Sequence, residues 1–231
     1  MHQRNSRAVL AFAMLTACSG VSLQANAIFN GSFESPLVPA GGFTDFASGS
    51  TGISGWTVVG AAGGVSIISG TNTQACCSFP AEDGAQFLDL TGDGTNAVEG
   101  VEQTISTTAG TNYTLTFWVG NLDNPSNGLG PTSTVNVNLG GLNGTLLDSV
   151  TNSSTNSTTL TWQMFTTSFT AAASTTTLDF LNENPSGDNI NGLDNIVVNA
   201  TSAVPEPSSI ALLGSALGVL VFRSRKRTYR G

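Results

Sequence analysis

The side chains of this sequence that can do chemistry are carboxylates, because basic groups are confined to the two ends of the chain. Lys and Arg occur only at residues 4 and 7 and within 223–230, and the one histidine is His2. Without these residues a domain cannot build a histidine-assisted nucleophile, a Schiff-base lysine, a histidine-bound zinc site or a cationic phosphate clamp. Nucleic-acid binding is excluded too, because phosphate neutralisation needs Lys or Arg.

Carboxylates alone support two kinds of chemistry, the binding of hard cations such as calcium and glycoside hydrolysis by an acid pair. Asp89, Asp93, Glu99 and Glu102 are the acids available for hydrolysis. They lie in Gly-rich stretches, where acids are usually solvated. The sequence therefore predicts a protein that is not an enzyme, with a polysaccharide-processing enzyme as the alternative.

The segments that must position these groups are short strands separated by Gly- and Asn-rich turns. Tyr113, Leu115, Phe117 and Val119 alternate with polar residues, as in a half-buried strand. This pattern predicts an all-β fold, an antiparallel two-sheet sandwich. The low-complexity stretch 149–159 is expected to be an exposed loop. The candidate strands cover residues 55–60, 64–69, 85–92, 100–107, 112–120, 133–140, 161–171, 175–182 and 192–199.

The N-terminal 27 residues have the pattern of a signal peptide. They begin with basic residues, continue with an apolar stretch and end in small residues. Ala27 closes an A-x-A cleavage pattern, so the domain is expected to span residues 28–202. The alternative is a lipoprotein box ending at Cys18. After cleavage, Cys76 and Cys77 remain, and they can form a vicinal disulfide, pair between chains or stay free.

The last segment, residues 203–231, combines Pro205-Glu206-Pro207, an apolar run at 210–222 and a basic tail. As a helix this run is roughly 20 Å long, against about 30 Å of membrane hydrocarbon. A plain tail anchor is one interpretation. The three elements in this order closely resemble the PEP-CTERM sorting signal of Gram-negative bacteria. The resemblance implies transient inner-membrane association through a short helix, processing by an exosortase-type enzyme, and delivery to the envelope surface or the extracellular matrix. It also implies an association with exopolysaccharide production.

The middle domain resembles a known family at several spaced motifs. They include "FNGSFESP", "ISGWTVVG", "DGAQFLDLTG", "VEQTISTTAGTNYTLTFWVGN" and "GLDNIVV". This series is similar to the bacterial choice-of-anchor C family and to a related domain-of-unknown-function family of plant cell-wall proteins. The resemblance implies a galactose-binding-like jelly roll, a fold shared with many carbohydrate-binding modules.

The resemblance also implies a structural calcium site. In carbohydrate-binding relatives an acid after the first strand and another in the last strand commonly hold calcium, and Glu34 and Asp194 match these positions. The backbone carbonyl of Ser32 and the carboxylate of Asp83 are further candidate ligands. The alternative is that these carboxylates accept hydrogen bonds from backbone N–H groups in turns.

Carbohydrate binding needs exposed aromatic rings, together with amide or carboxylate groups for sugar hydroxyls. Trp118 shares a strand face with threonines and is the best stacking candidate, whereas Trp56 and Trp162 are expected to pack in the core. Phe43, Phe46 and Phe79 are also available. The sequence thus predicts an exported polysaccharide-binding protein, with a structural matrix or adhesion protein lacking a defined sugar site as the alternative.

Overall fold

The computed structural model describes residues 26–60, 63–92 and 98–201, and their secondary structure is almost entirely β. Within these residues there are eleven strands and a single 3-10 turn at Pro125–Asn127. The strands are β1 (Phe43–Phe46), β2 (Thr57–Gly60), β3 (Val65–Ser69), β4 (Gln86–Asp89), β5 (Glu99–Ser106), β6 (Asn112–Asn121), β7 (Ser133–Leu139), β8 (Thr145–Asn152), β9 (Thr161–Thr170), β10 (Thr175–Asn182) and β11 (Gly192–Ala200).

The strands form two antiparallel sheets. The six-stranded sheet has the order β1-β3-β4-β11-β6-β9, and the five-stranded sheet has the order β2-β5-β10-β7-β8. The predicted all-β, two-sheet sandwich of the jelly-roll class is therefore confirmed. No helix of the described residues is long and apolar enough to span a membrane. The predicted signal peptide, the 205–207 motif and the apolar run lie outside the described residues, apart from Asn26 and Ala27.

The main core lies between the sheets, where alternate residues of each strand point inward. On β6 the inward side chains of Leu115, Phe117 and Val119 are fully buried. Phe117 packs edge-on against Phe180 of β10, with ring centroids 5.4 Å apart. Aromatic pairs of this kind stabilise a core beyond their buried area. The apolar residues that alternate with polar ones in the sequence thus form a continuous contact between the two sheets.

A second apolar cluster lies on the outer face of the six-stranded sheet, where connecting loops cover β3 and β4. Phe87 of β4 contacts Trp162 of β9 edge-on, with ring centroids 5.3 Å apart. Cys77 and Phe79 from the β3–β4 connection are buried in the same cluster. Cys76 and Cys77 form a vicinal disulfide, the first of the three predicted alternatives. The cluster fixes the loops at this end of the sandwich.

Two strands were not predicted from the sequence, and both lie at a sheet edge. β1 is a four-residue edge strand whose residues are mostly exposed. β8 is the edge of the other sheet, and its pairing with β7 contains a register shift. Few residues of β1 and β8 are buried, so their sequences lack the alternation that marks a half-buried strand. The predicted loop at 149–159 therefore begins only after β8 ends.

Candidate functional site

The four residues predicted to bind calcium lie together around the turn that leads into β4. Asp194 of β11 is fully buried, and its Oδ2 accepts backbone N–H groups from Glu82 (2.9 Å) and Asp83 (3.0 Å). Glu34 Oε1 accepts the N–H of Ala85 at 2.7 Å. The turn needs a glycine at position 84, because its φ is +72° and a Cβ atom there would overlap the Glu34 carboxylate.

The hydrogen bonds of this cluster match the alternative in which the carboxylates serve backbone donors. The Ser32 hydroxyl donates to Asp83 Oδ2 at 2.6 Å, so both residues belong to the same network. Within the described part of the chain, no three His, Cys, Asp or Glu side chains form a group that could hold a metal ion. Calcium at Ser32, Glu34, Asp83 and Asp194 stays a prediction.

The electrostatic state of Asp194 follows from its burial, for which the described residues supply no basic partner. Burial raises the pKa of Asp194 to about 8, and the nearby charge of Glu82 adds to this rise. The backbone N–H groups that donate to the carboxylate oppose the rise, because they stabilise the ionised form. The carboxyl group is therefore held in a site where a bound proton or a cation relieves unfavourable charge.

The three tryptophans occupy different environments. Trp56 is 2% exposed in the main core, and its Nε1 donates to Asn30 O at 3.0 Å. Trp162 is half-buried over the outer face of the six-stranded sheet, and its Nε1 donates to Pro80 O at 2.9 Å. Trp118 is half-buried on that face, in register between Asp194 and the exposed Met164. Its role as a sugar-stacking residue stays a prediction.

A cleft of about 160 Å³ opens at the edge of the six-stranded sheet, and it was not predicted from the sequence. The side chain of Phe43 on β1, which is 55% exposed, forms part of its rim. We call it the Phe43 cleft. Its apolar lining comes from Phe43, Ile68, Phe79, Leu129 and Ile190, and its polar lining from Ser66, Asn72, Gln74, Asp89 and Asn189.

The walls of the Phe43 cleft are loops held by hydrogen bonds. The Asn72 side chain donates to Gly41 O at 2.8 Å, and the N–H of Phe79 donates to Asn72 O at 3.1 Å. On the opposite wall, the N–H of Asn189 donates to Gly128 O at 2.9 Å. These residues come from distant parts of the chain. No local motif could have identified them, although Phe43 and Phe79 were recognised as available aromatic residues.

Asp89 is the acidic group of the Phe43 cleft. It is only 4% exposed, and its Oδ1 accepts hydrogen bonds from the N–H (3.0 Å) and hydroxyl (2.9 Å) of Thr91 and from the N–H of Asn191 (3.0 Å). Burial raises the pKa of Asp89 to about 6, against the opposing effect of these hydrogen bonds. Because Oδ1 is fixed in this way, the carboxylate is held rigidly beside the cleft.

Several solved structures are similar to this chain in fold. One described as "CBM4 structure and function" has 20% identity and a TM-score of 0.39, with 75% of this chain and 99% of that chain covered. TmCBM61 in complex with β-1,4-galactotriose has 14% identity and a TM-score of 0.45, with 77% and 99% covered. The CBM22-1 xylan-binding domain from Paenibacillus barcinonensis Xyn10C has 19% identity and a TM-score of 0.38, with 72% and 99% covered.

Two family models match consecutive parts of the sequence, whereas no curated protein matches it. The model of the PEP-CTERM protein-sorting motif matches residues 203–227, which confirms the predicted signal and indicates export and sorting in a Gram-negative envelope. The model described as protein of unknown function (DUF642) matches residues 26–199. Since this second match covers most of the chain, the protein belongs to the DUF642 family.

Proposed function

We propose that this protein is an exported, non-enzymatic polysaccharide-binding protein of the cell envelope, and that the Phe43 cleft is its binding site. The observation that carries the proposal is the composition of the cleft. An exposed aromatic ring lies at its rim, amide side chains line its walls, and a rigid carboxylate lies beside it. This combination of groups binds sugar rings, because aromatic side chains stack on the apolar faces of a sugar and polar groups form hydrogen bonds with its hydroxyls.

A glycan array tests this function. The purified protein is expected to bind at least one class of polysaccharide, and boiled protein serves as the control. Self-association or surface adhesion without affinity for any glycan would favour the structural matrix protein instead. Turnover of a bound glycan that is lost when one carboxylate is changed would favour an enzyme.

The route of export is the second part of the proposal. We propose that an exosortase-type enzyme recognises Pro205, Glu206 and Pro207 while the apolar run holds the precursor transiently in the inner membrane. The sequence match to the sorting motif supports this order of events. The mature protein is then released after cleavage near residues 205–207 and at Ala27. Intact-mass analysis of envelope-located protein that still carries Arg230 would contradict it.

We further propose that calcium stabilises the fold through Glu34, Asp194, Asp83 and the Ser32 carbonyl. Oxygen ligands suit this cation, and residues 8–222 contain no basic side chain that could neutralise the cluster instead. Calcium at about a hundred times its Kd is expected to add about 2.7 kcal/mol to the free energy of unfolding. For a domain of this size that raises the melting temperature by about 5–10 °C.

The matched variant for calcium is Glu34→Gln. It keeps the Oε1 acceptor for Ala85 and Gln86 but removes the negative charge, so the calcium-dependent rise should be lost. A wild-type melting temperature that calcium leaves unchanged would refute the proposal and leave the carboxylates as acceptors for backbone N–H groups alone.

A further inference from the structure

The charge distribution of the domain restricts which glycans the Phe43 cleft can accept. Glu206 is the only one of the fifteen acids outside residues 28–202, so the domain carries fourteen acids and no base. The acids also crowd the cleft. Ser66, which lines it, donates its hydroxyl to Asp45 Oδ1 at 2.5 Å, and the charge of Asp188 acts on Asp89. An anionic group entering the cleft meets these charges with no cation to offset them.

The hydrogen bonds of the Asp89 carboxylate determine which kind of ligand group it can bind. All three hydrogen bonds that the structure gives this carboxylate go to Oδ1. Among the described residues, Oδ2 has no hydrogen-bond donor. An ionised carboxylate only accepts hydrogen bonds, so a ligand that meets Oδ2 must donate through a hydroxyl or an ammonium group. A ligand carboxylate would bring a second acceptor and a like charge to a buried position.

The size of the cleft limits how much of a glycan enters it. A volume of about 160 Å³ is below the roughly 300–1,000 Å³ of pockets that hold drug-sized ligands, so the cleft has room for about one sugar ring. Phe43 at the rim offers a stacking surface, and Asn72, Gln74 and Asn189 offer amides to the remaining hydroxyls. A cleft with these dimensions fits the end or a branch of a polysaccharide.

We propose that the Phe43 cleft binds a single neutral or amino-substituted sugar ring, whose hydroxyl or ammonium group donates to Asp89 Oδ2, and that it excludes uronic acids. This inference rests on the proposed function, because it names the ligand class of the same site. Asp89 is then the residue that determines specificity. The protein recognises neutral or amino sugars at chain ends and branches, and it does not bind the acidic residues of an exopolysaccharide.

The test compares oligosaccharides that differ only in the terminal ring. Glucose, glucosamine and glucuronic acid ends form one series, and the corresponding galactose compounds form a second. We expect the wild-type protein to bind the neutral member of at least one series. In that series and at low salt, it should bind the uronic acid member at least about tenfold more weakly than the neutral member. The amino sugar is expected to bind at least as tightly as the neutral sugar.

The variant that tests the role of Asp89 in this selectivity is Asp89→Asn, which retains an Oδ1 acceptor for Thr91 and Asn191 but removes the charge. It should bring the neutral-to-uronic ratio to within about threefold. Asp148→Asn on β8 removes the same charge from the other sheet and should leave the ratio unchanged. Asp45→Asn, an exposed position beside the cleft, is the second such variant should Asp89→Asn fail to fold, and it should lower the ratio about threefold.

Two results separate the failure of this inference from failure of the proposed function. The selection by Asp89 would be overturned, with glycan binding intact, if uronic acid ends bound the wild type as tightly as neutral ends. It would also be overturned if a folded Asp89→Asn variant kept the wild-type ratio of neutral to uronic affinity. The absence of binding to neutral, amino and uronic compounds alike, and to every glycan of the array, would remove the proposed function itself.

Discussion

Lowering the pH from about 8 to about 5, with a chelator present, is expected to raise the free energy of unfolding by on the order of 5 kcal/mol. The cause is a group of buried carboxyls for which the described residues supply no basic partner. Burial raises the pKa of Asp89 and Asp188 to about 6, that of Asp179 to about 7 and that of Asp194 to about 8.

The sign follows from the number of protons that each state binds. In the unfolded chain these carboxyls titrate near their ordinary pKa of about 3.9. Between about pH 4 and pH 8 the folded state therefore holds more protons than the unfolded state, and stability falls as the pH rises through this window. Below the unfolded pKa both states are protonated, so the penalty disappears there.

Calorimetry across this pH range measures the effect, and the melting temperature should rise by about 10 °C or more on acidification. Asp179→Asn tests the mechanism, because an amide next to Asn138 and Glu102 cannot ionise, and the pH dependence should become weaker in that variant. The chelator is needed because a calcium ion bound to Asp194 would hold that carboxylate ionised. A melting temperature that is constant or rises with pH would contradict the account.

Trp56→Ala is expected to lower the free energy of unfolding by about 3–5 kcal/mol. The ring is 2% exposed and packs against Phe33 and Phe180, with centroid distances of 5.3 and 6.1 Å. It also donates to Asn30 O at 3.0 Å, so truncation leaves a cavity and removes a hydrogen-bond donor. Since Phe33 and Asn30 precede the first strand, the substitution should loosen the segment that carries Glu34.

Urea unfolding of Trp56→Ala beside Trp118→Ala measures this difference. Trp118 is half-buried on an outer sheet face, and its loss should cost about 1 kcal/mol or less. The two variants thus remove the same side chain from the core and from the surface. Equal losses of stability would show that the assignment of Trp56 to the core and Trp118 to the outer face is wrong.

Most of the fold could be predicted from the sequence, because the central strands carry their burial pattern in their own residues. On β6, Leu115 and Phe117 alternate with Thr114 and Thr116, and the structure buries the first pair and leaves the second partly exposed. The edge strands β1 and β8 were not predicted, since few of their residues are buried and their sequences carry little of the alternating pattern. Pairing between strands depends on contacts between residues distant in sequence, so the order of the strands in each sheet could not be predicted either.

The candidate site was less accessible to sequence reasoning. Glu34 and Asp194 were identified because family motifs mark both, and the structure brings them to one turn. The Phe43 cleft combines residues separated by more than a hundred positions, and no single segment has a binding pattern. Asp89 looked like a solvated turn residue in a Gly-rich stretch. Its burial arises from the Asn191 backbone and from the loops that cover the sheet.

The central claim is that polysaccharide binds in the Phe43 cleft, and calorimetric titration of the array-identified glycan into Phe43→Ala and Trp118→Ala tests it most directly. An aromatic contact is worth up to about 1.5 kcal/mol, and 1.4 kcal/mol corresponds to a tenfold change in Kd. We expect Phe43→Ala to weaken binding about tenfold, while Trp118→Ala stays within about twofold of the wild type. Unchanged binding by Phe43→Ala, with affinity lost in Trp118→Ala, would contradict the account and move the site to the surface around Trp118.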